Sequence, residues 1–355
     1  MSMNMIKVRT TLLASALMTF ICASGQTQVT PFSPGLTANG VNYVLPKTGI
    51  KVQVVATKTT YTPGEFCRYA ERYLHLTDVR QQAETTWEIK EMRVTQYGTP
   101  DKDKTFTIKL KDKTVAPMAR LSSSGILLAI NADNDVVETE LTVPADVKNT
   151  INSKSYLTEE ILSATSTAKM AELTANEIYD IRESVNAITR GQAENMPQDG
   201  ASLKIVIDQL KAQETGLMQL FQGSTEQTST KATFAIEPEG DVKDQVLFRF
   251  SRRLGIVDAD DLSGEPIYIS ITDKKTVPLP TEEEVAKRKI TGVVYNQPSE
   301  AVVVMTMAGQ EIYRNTMPFA QFGTIDMLMP ALFNKGATTK VLFNPATGGI
   351  EKIVE

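Results

Sequence analysis

Cys67 and His75 are the two side chains whose chemistry stands out in this chain. His75 is the only histidine, and Cys67 is one of two cysteines. A thiolate beside an imidazole is a nucleophile beside its base, and that pairing would make the protein an enzyme. The residues around them argue otherwise. In "TTYTPGEFCRYAERYLHL", residues 59–76, Thr62, Pro63 and Glu65 read as an N-cap, a first helical residue and a capping-box acid. Phe66, Tyr69, Ala70, Tyr73 and Leu74 then recur at helical spacing and mark one buried face. On that helix, Cys67 and His75 stand about 12 Å apart along the axis and about 80° apart around it. A catalytic pair needs hydrogen-bond reach, about 2.6–3.2 Å. Cys67 therefore reads as a small core residue at the edge of the apolar face, and His75 as a surface or helix-end residue.

Other chemistries fall with the histidine. A Ser-His-Asp triad could use only His75, and no G-x-S-x-G elbow occurs. A zinc site needs several Cys or His ligands. Neither a phosphate-cradling G-x-x-x-x-G-K-[ST] nor a dinucleotide-binding G-x-G-x-x-G is present, and no cofactor is expected. One histidine-free serine chemistry has its fragments: "STAK" (Ser166 to Lys169), "SVN" (Ser184 to Asn186) and "KTG" (Lys47 to Gly49). The K-T-G element comes first instead of last, and Val185 belongs to a helical stripe where that chemistry needs a loop. "VDADDLSGE", residues 257–265, offers Asp258, Asp260, Asp261 and Glu265 as candidate cation ligands. Leu262 stands where an EF-hand would place a ligand, and Gly264 comes late, so the segment reads more simply as a polar turn. Glycosidase chemistry needs two facing carboxylates. With 42 acidic residues, spacing alone selects no pair. Aromatic content of 6% with one tryptophan offers little for a sugar-stacking platform.

The elements that would position any site are mostly strands. In "IKVQVVATK", Ile50, Val52 and Val54 alternate onto one face. "TWEIKEMRVTQY" and "KTFTIKLKDK" follow as further strands. In the latter, Phe106, Ile108 and Leu110 oppose Lys109, Lys111 and Lys113. Asp101, Asp103 and Asp112 interleave with those lysines, so that face reads as solvated, or as protection of a sheet edge. "ILLAI" and "VVETELTV" close a first strand-rich block near residue 145. Residues 156–222 carry helical stripes instead. Leu173, Ile178, Ile181, Val185 and Ile188 form one, with Gly191 as its C-cap; Leu203, Val206, Ile207, Leu210, Leu217, Leu220 and Phe221 form the second. The two predict an antiparallel helical hairpin, whose seam either packs inward or serves as an interaction arm. "GSTEQTST" reads as a linker. Strands resume at "KATFAIEP", "QVLFRFS", "PIYISIT", "KITGVVYN" and "AVVVMTM". Hairpin turns are expected at Ala308-Gly309 and from Asn344 to Gly349, and a short helix capped by Thr281 and Glu284 in "PTEEEVAKRK".

Residues 1–25 read as a signal peptide. Lys7 and Arg9 precede the apolar run "LLASALMTFICA", and small residues lead to cleavage near Gln26. Lipidation of Cys22 would want a small residue before it, and Ile21 stands there. The run is shorter than the about 20 residues of a spanning helix, and no later segment reaches that length. The leader carries two basic and no acidic residues, so its loss takes the formal charge from −5 to −7. That balance excludes nucleic acid as a partner. It leaves one cysteine and no internal disulfide, so the core alone holds the fold.

Several segments together resemble a known family: "YVLPKTGIKVQVVATKTTYTPGEFCRYAERYL", "TANEIYDIRESVNAITRG" with "PQDGASLKIVIDQL", "GIVDADDLSGEPIYI", and "AQFGTIDMLMP" followed by "NPATGGI". In the same order over most of the mature chain, they are similar to domain of unknown function 4831, secreted proteins found mainly in Bacteroidetes. The resemblance implies an envelope or extracellular location and transfers no catalytic residue.

The expectation is a predominantly β α+β protein. A β-rich region at 26–150 with one short helix and another at 224–355, sandwich- or barrel-like, flank a helical hairpin at 151–223. The expected role is non-catalytic binding of an envelope protein or glycan, or a structural one. The alternative is a carboxylate-based hydrolase acting on envelope or dietary glycans.

Overall fold

The computed structural model describes residues 28–31, 40–109, 119–133, 140–149, 151–193, 200–329, 332 and 339–354. The leader and the first half of "VVETELTV" lie outside them, as do the side chains of Lys109, Lys111 and Lys113. The fold is α+β and predominantly β.

Three antiparallel sheets carry it. The first orders β1 (Gln28–Pro31), β3 (Glu84–Lys109), β2 (Gly40–Thr62) and β6 (Ser224–Ile236). The second orders β11 (Gln310–Leu328), β10 (Val293–Met307), β9 (Glu265–Asp273), β7 (Val242–Ser251) and β8 (Gly255–Val257). The third orders β13 (Ile350–Val354), β12 (Lys340–Phe343), β5 (Leu127–Ile130) and β4 (Ala119–Leu121). Strands from both flanking regions of the chain share the first and third sheets.

Period-two alternation fixes which faces meet. Ile50, Val52, Val54 and Ala56 are fully buried and pack on Phe248, Ile267, Ile269, Val303 and Phe319 of the second sheet. The Phe234 and Phe248 rings stack across that layer with centroids 4.4 Å apart. Each such aliphatic or aromatic side chain contributes about 1.5–3 kcal/mol by leaving water. A second core joins Tyr43, Leu45 and Phe106 to Ile130, Val294, Val341 and Phe343. Two of the expected strands, "TWEIKEMRVTQY" and the described part of "KTFTIKLKDK" up to Lys109, are one continuous strand, β3, and "KITGVVYN" and "AVVVMTM" merge into β10. Pro46 falls where β2 slips register against β3, a place where the missing N–H costs no ladder bond.

The expected linker is a correction. "GSTEQTST" is the first half of β6 and pairs with Thr62 to Ala56 of β2. It escaped notice because both faces are polar and largely exposed, so no apolar alternation marks it. The described end of "VVETELTV", residues 140–143, is not a strand. The chain beyond it runs beside β6 instead, where Val147 and Gln227 exchange backbone hydrogen bonds of 2.9 and 2.8 Å.

The helices are α1 (Ala70–Leu74), α2 (Glu159–Leu162), α3 (Thr167–Thr189), α4 (Gly200–Gln222) and α5 (Glu282–Lys287). α3 and α4 form the expected antiparallel pair. Arg182 Nε reaches Glu214 at 2.6 Å between them. The buried stripe of α3 runs through Ala171, Thr174, Ala175, Ile178 and Ile181, and Leu173 sits beside it, only half-buried. Small residues there let α1 approach closely. Gly191, at φ 69°, ends α3 with the paired bonds from Gly191 N to Ile188 O and from Gln192 N to Ala187 O. α5 carries the complete Thr281–Glu284 capping box.

The helix expected from Thr62 is shorter than its sequence signals. Thr62 is the last residue of β2, and helical geometry begins at a 3-10 turn, Cys67–Tyr69, without a side-chain cap. Residues 63–66 are held by α4 instead. Phe66 N donates to Leu220 O at 2.7 Å, and a Cβ on Gly64 would lie 2.3 Å from that carbonyl oxygen. A tertiary contact thus outcompetes the local capping signal.

Candidate functional site

The residues singled out by type are placed apart. Phe66, Ala70 and Leu74 are buried against α3 and α4, as their spacing implied. Cys67 is half-buried instead of a core residue, because the 3-10 turn rotates it off the apolar face. His75 is exposed and ends α1 in the left-handed region, at φ 56°. Ser166 is the N-cap of α3, its Oγ accepting from Lys169 N at 3.2 Å, and Lys169 Nζ is bonded to Glu172 at 2.9 Å. Ser184 lies eighteen residues further along the same helix, about 27 Å away. "KTG" lies within β2.

The acidic loop at 258–265 joins β8 to β9. Arg249 reaches into it, Nε donating to Ala259 O at 2.8 Å and Nη1 to Gly264 O at 3.1 Å. A guanidinium therefore engages two of the loop carbonyls. The Asp261 carboxylate accepts from Ser263 N at 2.9 Å, and the hydrogen bonds from Ser263 hold its pKa below the ordinary value. Among the described residues no group of three or more His, Cys, Asp or Glu could hold a metal ion.

A site that residue type did not flag lies on the outer face of the first sheet. Register places Lys51 of β2 opposite Thr95 of β3 and Ala235 of β6, and Gln53 opposite Arg93 and Thr233. With Tyr97, these side chains share the face turned away from the core. Two segments convert that face into a cleft of about 800 Å³. One is the turn between β4 and β5, which contributes Ser122, Ser124, Ile126 and Leu128. It is tied to β2 by the bond from Val44 N to Gly125 O, 2.9 Å. The other is the β12–β13 turn, with Pro345 and Ala346.

That second turn is built to plug in. Asn344 Oδ1 accepts from Ala346 N and Thr347 N at 2.9 and 3.1 Å, and Gly348 takes φ 69°. Buried Asn296 donates through Nδ2 to Pro46 O and Thr347 O, at 2.9 and 2.8 Å. Buried Thr48 donates through Oγ1 to Ala346 O at 3.0 Å. Gly98 leaves room for Pro345 O, which would stand 2.2 Å from a Cβ there. Gly98→Ala is therefore expected to push the turn outward, costing about 1–3 kcal/mol. Its measurable signature is faster amide exchange at 344–349 than in β9, and unchanged exchange there would remove this account of Gly98.

Tyr97 closes one end of the cleft. Its ring lies on Gly49, whose Cβ would fall 2.4 Å from the ring, and its hydroxyl donates to Glu237 at 3.2 Å. Burial first, and then the Glu237 charge, push its pKa upward. Glu237 also borders a smaller hollow of about 350 Å³ with Lys47, Pro238, Glu239 and Gln321. Among the described residues, the cleft lining carries two cations, Lys51 and Arg93, and no Asp, Glu, His or Cys. Glu91 sits 3.5 Å from Arg93. The Glu140 carboxyl is held low chiefly by its bond with Lys231, with a smaller contribution from Lys51.

Chemically, this arrangement presents two cations, several hydroxyls and one aromatic ring to the cleft. Ser122 Oγ accepts from Ile126 N at 3.0 Å and bonds Ser124 Oγ at 2.9 Å, a turn-forming role with no base beside it. A glycosidase acid needs its pKa raised. Among the described residues, the carboxylates whose pKa moves, Glu140, Asp261 and Glu311, are all lowered. No local pattern signals the cleft, because alternation marks only the core face. A polar face reads the same whether water or another segment covers it.

Among the described residues no helix is long and apolar enough to cross a membrane. A family model described as Domain of unknown function (DUF4831) matches residues 39–351. No curated protein and no solved structure matches the chain.

Proposed function

This chain belongs to the family described as Domain of unknown function (DUF4831), and from that premise we propose that it is an exported binding protein that performs no chemistry of its own. The observation that carries the reading is the cleft on the first sheet. It is framed by two inserted turns and lined by cations, hydroxyls and one aromatic ring, and among the described residues it holds no activated nucleophile and no raised acid. Its volume lies within the range of small-ligand sites, about 300–1,000 Å³. Export is supported by the leader pattern of residues 1–25, with removal near Gln26. A periplasmic or outer-surface setting would supply envelope glycans or proteins as the ligand.

The test uses the mature chain recovered from the cell exterior or periplasm. Envelope carbohydrate and peptide fractions are added, and amide exchange is followed. Protection is expected at residues 93–98 and 122–128. Ser124→Trp, at an exposed turn position inside the cleft, is expected to abolish that protection while shifting stability by no more than about 0.5 kcal/mol. Absence of protection with every fraction, or protection that survives Ser124→Trp, would remove the cleft as the binding site.

A further inference from the structure

We propose that the cleft takes an acidic oligosaccharide, with a carboxylate of one sugar unit held between Lys51 and Arg93. This rests on the binding reading above and names the ligand class. The two cations stand on adjacent strands, since Lys51 pairs with Thr95 and Arg93 lies two residues from Thr95 on the same face. Diagonal neighbours of this kind are about 7–8 Å apart, so two long side chains can converge on one carboxylate. The guanidinium fork matches a carboxylate edge, and the ammonium adds a point charge.

The remainder of the lining suits a sugar better than a bare anion. Thr95, Thr233, Ser122 and Ser124 line the same cleft and offer hydroxyls that both donate and accept, as sugar hydroxyls require. Tyr97 supplies one flat ring, backed by Gly49, where any side chain at position 49 would displace it. Ile126 and Leu128 add apolar surface for the C–H faces of a pyranose.

Both cations already have anionic company, and the ligand must exchange with it. Glu91, beside Arg93, is 53% exposed, and Glu140, bonded to Lys231 and a weaker electrostatic neighbour of Lys51, is 69% exposed, so both are held only weakly. A carboxylate entering the cleft replaces a solvated partner with a less solvated one. Phosphate-directed sites commonly use backbone amides at a helix N-terminus, whereas this floor is made of strands.

The probe is a galacturonate oligomer, titrated calorimetrically into the full mature chain at low salt. A maltooligosaccharide of equal length and a short polyglutamate serve as the other arms. The galacturonate oligomer is expected to bind. Lys51→Gln and Arg93→Gln are each expected to weaken it about tenfold, since bonds to charged groups are at stake, with unchanged thermal midpoints. Equal binding of the maltooligosaccharide, indifferent to both substitutions, would overturn the acidic ligand and leave cleft binding intact. Equal binding of polyglutamate would overturn the sugar. Failure of the galacturonate oligomer to bind, while envelope fractions still protect 93–98 in a manner sensitive to Ser124→Trp, would overturn this ligand class alone. Failure of both would remove the binding reading with it.

Discussion

Thr48→Val is expected to unfold at a distinctly lower urea midpoint, losing about 2–5 kcal/mol, although valine has nearly the shape of threonine. The hydroxyl is fully buried, donates to Ala346 O at 3.0 Å and accepts from Ala320 N at 3.1 Å. Ala320 has no alternative on its own sheet. β10 and β11 lose register between Gln297 and Ser299, which leaves residues 320–323 of β11 without ladder partners in β10 and turns Ala320 and Gln321 to Thr48 of β2. Gln321 completes the join, exchanging bonds of 2.9 and 2.8 Å with the Thr48 backbone. Removing the hydroxyl orphans one buried amide and one buried carbonyl, each worth about 1–3 kcal/mol. Thr48→Ser, which keeps both bonds, should recover most of the loss. A valine variant within about 0.5 kcal/mol of the parent, as for an ordinary surface change, would show that water replaces the hydroxyl and that the junction is not sealed.

Phe221→Ala is expected to cost about 3–5 kcal/mol, with its effect concentrated in the helices. Phe221 is fully buried in the last turn of α4, its ring centroid 5.5 Å from that of Phe66. It belongs to a core made of α1, α3 and α4 residues and separate from the two cores between sheets. The end of α4 is held by Tyr61, whose hydroxyl lies 2.8 Å from both Gln222 O and Arg80 O, and by Gly223 at φ 79°. Emptying the ring site therefore frees the helical pair before the sheets. Amide exchange in 167–189 and 200–222 should accelerate far more than in β9 and β10. Equal acceleration throughout would mean that the helices and sheets unfold as one unit.

Legibility from sequence followed the range of the interaction. The Ala308-Gly309 turn, with φ 50° and 76°, the Asn344 to Gly349 turn, the Thr281 capping box and the Gly191 helix end each carry their signal within six residues, and the structure has all four. The family also was legible, because its segments occur in order across the chain. Three features were not. The first half of β6 carries no apolar alternation, and it is a strand because β2 offers an edge. The helix at Thr62 begins late because the Leu220 carbonyl takes the Phe66 amide. The cleft depends on Lys51 and Arg93 lying beneath a turn from residues 122–128 and another from 344–349. No local pattern encodes that meeting.

The docked turn between β12 and β13 also sets an order of assembly. Its partners Pro46, Thr48 and Asn296 lie about 50 to 300 positions earlier in the chain, and β2 itself waits for residues 224–236 before its second edge is covered. Contacts of such separation form late, since the loop they close must be ordered first. During synthesis, the N-terminal strands thus stand with an open edge and unpaired polar groups until nearly the whole chain exists. Closure becomes a check on completeness, because a chain ending before residue 344 lacks the turn that docks the third sheet on Pro46, Thr48 and Asn296.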